Sequence, residues 1–330
     1  MSARKVLSAA VALAFTAFFL VLALRNVEYD QLAQALVGVR WRWLPGIVFI
    51  IVVADIGIRA LRWRILLSQA VQAPLGELYR LSTIGLAVNN LLFARLGELL
   101  RAVLAAERLG VSLATTLASV VVERVLDVAA LLTLFVCAST WLPELVEPSL
   151  RRAAIVLLAA VLAALVFLIM AERSLEPGGF VERRLRSYRK VHELMSHLAL
   201  GAAVLRRPRA LFPVVGLSLA LWSIDAAVYW LGAFALGLDQ LIDYPRSILV
   251  LSWAGAGAAL PAAPGAIGTY ESLVKSIVVR LGASAPEALA YAVFLHMGMY
   301  ILVTGMGLVF LYRVGLSLGG VKGFLRKVRA

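Results

Sequence analysis

Three stretches of this sequence place charge and broken backbone where hydrocarbon should continue. The first is Asn89-Asn90-Leu-Leu-Phe93-Ala94-Arg95-Leu-Gly97-Glu98-Leu-Leu-Arg101, which inserts amides, a glycine and three charges into an otherwise apolar run. An unpaired charge at membrane depth costs on the order of 2.5–3.5 kcal/mol by insertion scales. Glu98 and Arg101, three residues apart, share a helix face and are expected to neutralise each other. In the functional reading this is a hairpin tip in which Arg95 and Arg101, with Asn90, Gly97 and Glu98 around them, meet an anionic head group. The bland reading is a cytoplasmic loop with an ordinary ion pair.

The second stretch is Pro261-Ala-Ala-Pro264-Gly265-Ala-Ile-Gly268-Thr269-Tyr270-Glu271. It combines two helix breakers with two residues that tolerate positive φ, and it reads as a turn that starts a new half-helix. The free N–H groups of such an N-terminus suit a phosphate or carboxylate. Pro264, Gly265, Gly268, Thr269, Tyr270 and Glu271 are therefore head-group candidates, against the alternative of a plain extracellular Pro-Gly loop. Glu271 and Lys275, four apart, form a candidate ion pair beyond the break.

The third stretch carries Glu123-Arg124 and Asp127 at the centre of an apolar run. Glu123 and Asp127 lie on one helix face and Arg124 projects about 100° away. They read either as paired structural charges or as the wall of a polar lipid or proton pathway. Asp55 and Arg59 repeat the pattern at four-residue spacing, while Arg62 and Arg64 are expected to snorkel to the cytoplasmic interface. Asp225 and His296 stand isolated near mid-helix. For His296 an interior hydrogen bond is favoured over a proton relay.

These groups must be positioned by helices in a bilayer. Of 330 residues 62% are apolar, and the mean hydropathy is +0.92, more hydrocarbon than a soluble fold can bury. About 20 apolar residues span a hydrocarbon core of roughly 30 Å. Six segments meet that standard, at residues 6–24, 44–66, 113–138, 153–171, 211–236 and 288–312. Segments 80–109 and 247–281 are apolar but interrupted, each arm too short to cross alone. The expected fold is all-α, a polytopic bundle of about six full spans plus two re-entrant helical hairpins, in one integral membrane domain over 1–330.

If both hairpins are re-entrant, stretches 1–5, 59–80, 172–209 and 313–330 hold 20 basic residues and the opposite stretches 25–43, 139–152 and 237–246 hold six. Lys and Arg are retained on the cytoplasmic side, so both termini are expected in the cytoplasm of a cell carrying this protein in its plasma membrane. The same topology makes 1–138 and 153–312 candidate inverted repeats, an arrangement that puts a binding site near the midplane where the tips meet. Two full crossings in place of each hairpin leave loop parity unchanged and remain the alternative. The basic segment 172–209 spaces Leu185, Tyr188, Val191, Met195 and Leu198 helically, as an amphipathic anchor on an anionic leaflet does, or alternatively a docking surface for a cytoplasmic protein.

Other function classes find little support. The net charge of +13 would suit a nucleic-acid binder, but the bases cluster at the ends of apolar runs and in connecting segments, so no nucleic-acid partner is expected. No G-x-x-x-x-G-K, H-E-x-x-H or cysteine-based zinc pattern occurs, and His192 and His197 sit in the basic segment. Neither cofactor nor metal is called for. Cys137 is the single cysteine, which excludes an intramolecular disulfide. The run from Val6 to Leu24 reads as an uncleaved first helix, since no convincing small-residue cleavage site precedes Arg25.

The motif text resembles the transmembrane region of lysylphosphatidylglycerol synthases, the flippase-like domain proteins. The resemblance rests on Asn89-Asn90 through Arg101, Gly110-Val-Ser, Glu123-Arg124-Val-Leu-Asp127, and Pro261 through Glu271, in matching order across nearly the whole chain. Phe93 departs from it, because the family usually has proline before the Arg-x-Gly-Glu element. In two-part synthases a soluble aminoacyltransferase domain follows the membrane region; this sequence stops about 18 residues after its last helix, so the resemblance implies the flippase-like half alone. The expectation is a non-enzymatic translocase or binding protein for an anionic lipid, as monomer or homo-oligomer. Its rivals are a membrane enzyme using Glu123, Asp127 or His296 as acid or base, and a scaffold recruiting a cytoplasmic enzyme through 172–209.

Overall fold

The computed structural model describes residues 3–92, 95–175, 203–260, 264–321 and 323. All regular structure among them is helical. Helix α1 (Ala3–Leu24) is followed by the short α2 (Tyr29–Val37) and by α3, which runs from Trp41 to Leu67 and contains a π-helical turn at Ile50–Asp55. Next come α4 (Leu75–Leu91), α5 (Leu96–Leu109), α6 (Leu113–Trp141) and α7 (Pro148–Leu175). After a 3-10 turn at Ala203–Arg206 follow α8 (Pro208–Leu236), α9 (Tyr244–Ala259), α10 (Thr269–Arg280) and α11 (Ala285–Arg313). The basic segment expected to lie on the membrane falls, from 176 to 202, outside the described residues, as do Phe93, Ala94 and Pro261–Ala263.

Helices cover all six expected spans, and four of them are long and apolar enough to cross a membrane: Trp41–Leu67, Pro148–Phe167, Pro208–Leu236 and Ala285–Arg313. Helix α6, 29 residues long, carries Glu123, Arg124 and Asp127 in its middle. The outer surface is hydrocarbon: Val156, Phe167, Phe212, Ile301 and Val309 are all exposed. In lipid such a surface costs nothing, because the surroundings are as apolar as the side chains.

The two interrupted segments form the helix pairs α4/α5 and α9/α10. At 1.5 Å per residue each arm is about 18–26 Å long, short of a hydrocarbon core of about 30 Å. Each pair is flanked by long helices, α3 and α6 in the first half and α8 and α11 in the second. The buried apolar side chains form two clusters that broadly follow those halves, one around Trp63, Leu81, Leu100 and Val122, the other around Leu249, Val274, Tyr291 and Leu295.

Local chemistry sets the breaks. Leu92 is extended, and Arg95 enters α5 in the left-handed region (φ 50°, ψ 39°). A Cβ on Gly97 would lie 1.9 Å from the Gly85 carbonyl oxygen, so only glycine lets α5 fold back against α4. The Gly97 N–H donates to Asn89 Oδ1 at 2.8 Å. The Gly110-Val-Ser element joins α5 to α6, with Gly110 ending one helix at φ 66° and the Ser112 hydroxyl capping the next by accepting from Thr115 N–H.

Candidate functional site

Four helices deliver a cluster of four arginines and five carboxylates into the bundle. From α3, Arg59 holds Asp55 through Nε and Nη2 at 3.0 Å and reaches Asp225 on α8 at 3.7 Å. The π-helical turn ends at Asp55, and the wider turn sets the register from which Asp55, Arg59 and Arg62 all project inward. Asp225 is therefore not isolated, as the sequence suggested, but shares Arg59 across the α3–α8 contact.

The centre of the cluster is Arg62, which is fully buried. Its Nη1 donates to Asp127 Oδ1 at 2.7 Å and to Ser218 Oγ at 3.0 Å, and its Nη2 donates to Glu123 Oε1 at 2.9 Å. The expectation that Arg62 snorkels outward is overturned. Two carboxylates one turn apart on α6 offer it more than an interface does, because each also needs a partner at that depth. Arg64 is exposed, as a snorkelling residue should be.

The expected Glu98–Arg101 pair is replaced by pairings across helices. Arg101, 4% exposed, donates to Glu123 Oε2 at 2.9 Å and lies over the Trp63 ring, 4.8 Å from its centroid. Glu98 instead faces Arg124 at 3.7 Å, and Arg124 also pairs with Asp127 at 3.0 Å and Glu123 at 3.3 Å. Helical spacing made Glu98 and Arg101 neighbours, but the α5–α6 packing brings better-placed carboxylates to the arginine. Trp222 and Trp63 complete the walls, donating to Asp127 at 3.3 Å and to Ser119 at 2.9 Å.

A small recess of about 10 Å³, roughly the room of one water molecule, opens onto this cluster, lined by Arg59, Ser82, Gly85, Leu86, Asn89, Glu98, Arg101 and Arg124. Two buried donors around it are unused among the described residues, the Ser82 hydroxyl and Arg124 Nε. Arg124 is the most exposed of the four arginines, at 31%, and its pairing with Glu98 is among the loosest in the cluster. Ser82 carried no motif signal; only its position one helix turn from Gly85, facing the recess, marks it.

The two breaks meet. Arg95 Nη2 donates to the carbonyl of Ala258 at the end of α9 (3.3 Å), Tyr300 on α11 donates to the Asn90 carbonyl (3.2 Å), and the Asn90 amide donates to Thr304 (3.0 Å). Gly265 (φ 73°) follows Pro264 in a 3-10 turn at this junction, where a Cβ would lie 2.6 Å from the Tyr300 ring.

The half-helix N-terminus at α10 already holds an anion, the chain's own. Glu271 accepts from Gly268 N–H at 2.7 Å and pairs with His296 Nδ1 at 2.5 Å. Helix α1 covers Gly268, where a Cβ would lie 2.9 Å from the Thr16 carbonyl. Thr269 is buried and donates to the Ala266 carbonyl, and Tyr270 donates to the Tyr229 hydroxyl while stacking on His296. The expected Glu271–Lys275 pair is absent. Lys275 Nζ donates to the carbonyls of Ala23 (2.8 Å) and Arg25 (2.5 Å), the C-terminal end of α1, where a cation complements the helix dipole. His296 has the interior hydrogen bond expected of it, although it is not isolated. Among the described residues no three His, Cys, Asp or Glu gather as a metal site.

Apolar outer walls, helices of spanning length and an internally paired charge cluster define a polytopic helical membrane protein. Residues 8–307 match the family described as the lysylphosphatidylglycerol synthase TM region, and the chain belongs to that family. No curated protein and no solved structure matches it.

Proposed function

We propose that this protein binds an anionic lipid by its head group at the recess between α3, α4, α5 and α6, which must widen to admit more than a single oxygen, and moves that lipid between leaflets. The observation that carries this reading is the pair of unused buried donors, Ser82 Oγ and Arg124 Nε, beside the arginine cluster. A buried donor without an acceptor costs about 1–3 kcal/mol, and a phosphate oxygen in the recess would remove that cost. Membership of a family tied to lipid handling agrees with it. The α10 N-terminus is no longer part of the head-group site, since Glu271 occupies it.

The meeting of the two breaks, the two apolar clusters and the shared order of long helix, broken pair and long helix support re-entrant hairpins in an inverted repeat, with six full spans. Because Arg59 and Arg62 lie in the bundle, the twenty basic residues assigned to cytoplasmic stretches become eighteen, still against six. That excess favours cytoplasmic termini.

The test is transfer of labelled phosphatidylglycerol in reconstituted liposomes. Ser82→Ala removes a hydroxyl that supports no hydrogen bond at rest, so folding should be unaffected. Losing one donor to a charged acceptor, worth about 1.5–3 kcal/mol, should slow transfer roughly tenfold or more. Arg124→Gln should slow it further. Transfer by wild type no faster than in protein-free vesicles would end the transport reading, and unchanged transfer by both variants would move the site elsewhere. Appearance of a chemically new lipid would point to an enzyme.

A further inference from the structure

We infer that Glu271 and His296 form a proton-binding site whose occupancy sets how the two helix breaks hold each other; this rests on the transport reading only where lipid movement is concerned. The pair bridges α10 and α11. One oxygen of Glu271 caps α10 at Gly268 and the other meets His296 on α11. Both residues are buried, 5% and 8% exposed.

The groups around the pair leave histidine as its charged partner. On α10, Tyr270 stacks on the imidazole with ring centroids 4.1 Å apart, and its hydroxyl is spent on Tyr229 of α8. Lys275 points to the end of α1, whose contact with Gly268 is through backbone. On α11, Tyr291 donates to the Tyr229 carbonyl and Tyr300 meets the imidazole edge-on. From α9 the approach is by Gly257, against the backbone of Thr269 and Tyr270.

With Nδ1 against the carboxylate, Nε2 has no hydrogen-bond partner among the described residues, and the proposed proton would go there. Without that proton the pair carries one net negative charge, balanced by the α10 N-terminus. With it the pair is neutral and Glu271 is drawn toward His296. Tyr300 carries the difference onward, since it touches His296, closes over Gly265 and donates to the Asn90 carbonyl at the other break. Histidine is the side chain whose ordinary titration falls between about pH 5 and 8.

The test reads the breaks directly. Spin labels at Leu92→Cys and Ile267→Cys, in a Cys137→Ser background, report the distance between the breaks in purified protein from about pH 5 to 8. The same protein in liposomes reports lipid transfer. The expected result is a label distance that shifts with pH and a shift abolished by His296→Gln, which keeps a hydrogen bond to Glu271 but cannot take up a proton. A distance indifferent to pH, or a shift that survives in His296→Gln, overturns the inference. A shift that follows His296 without any lipid transfer in wild type sustains the proton site and defeats the transport reading instead. Should His296→Gln fail to fold, Tyr300→Phe serves: it keeps the ring, loses the bond to Asn90 and should uncouple distance from pH.

Discussion

Replacing Arg62 with methionine tests whether the cluster is a mutually compensating unit. The change keeps the unbranched stem and removes a guanidinium that makes three hydrogen bonds, to Asp127, Glu123 and Ser218. Removing one partner from a buried ion network costs about 3–5 kcal/mol, because it strands the charges left behind. Here the stranding is incomplete. Glu123 keeps Arg101 at 2.9 Å and Asp127 keeps Arg124 at 3.0 Å, so the cost should fall near the lower end, about 3 kcal/mol. The variant leaves three arginines against five carboxylates. Adding Asp127→Leu restores the balance, so the double variant should be more stable than Arg62→Met alone, by about 1 kcal/mol or more. Reversible unfolding in mixed detergent micelles measures both. An Arg62→Met protein within about 0.5 kcal/mol of wild type, or a double variant less stable than either single one, would refute the claim that Arg62 compensates these carboxylates.

Two further outcomes follow from contacts outside the cluster. Gly97→Ala places a methyl 1.9 Å from the Gly85 carbonyl and must pry α5 from α4; folded yield should collapse, whereas Gly76→Ala, with open space at its Cβ, should behave as wild type by size-exclusion chromatography. Lys275→Met frees the carbonyls of Ala23 and Arg25, so trypsin should cut after Arg25 faster than in wild type, which limited proteolysis followed by mass spectrometry would read.

Much of the architecture was legible in the sequence because bilayer thickness fixes helix length. The apolar runs gave the long helices to within a few residues at most ends, and the two interruptions gave the broken pairs. Charge in the middle of those runs marked Asp55, Arg59, Glu123, Arg124 and Asp127 as a network, since nothing else makes buried charge tolerable. What one dimension misassigned was partnership. Helical spacing proposed Glu98 with Arg101 and Glu271 with Lys275, yet Arg101 goes to Glu123, Glu98 faces Arg124, Glu271 takes His296 and Lys275 takes the end of α1. Pairs at three- or four-residue spacing gain only a few tenths of a kcal/mol, so a better partner on a neighbouring helix displaces them.

Arg62 shows the same limit from the other side. Close to the end of an apolar run, it has the address of a snorkelling residue, and only the crossing of α3 with α6 turns it into the centre of the cluster. Ser82 bore no signal at all, because a serine in a helix is ordinary until packing buries its hydroxyl beside a recess. Sequence determined that charge must be sheltered within this membrane protein and roughly at what depth, for that follows from hydrocarbon and helix geometry alone. Tertiary structure decided which charges shelter one another and which buried donors are left unpaired, since those depend on contacts between helices far apart in the chain.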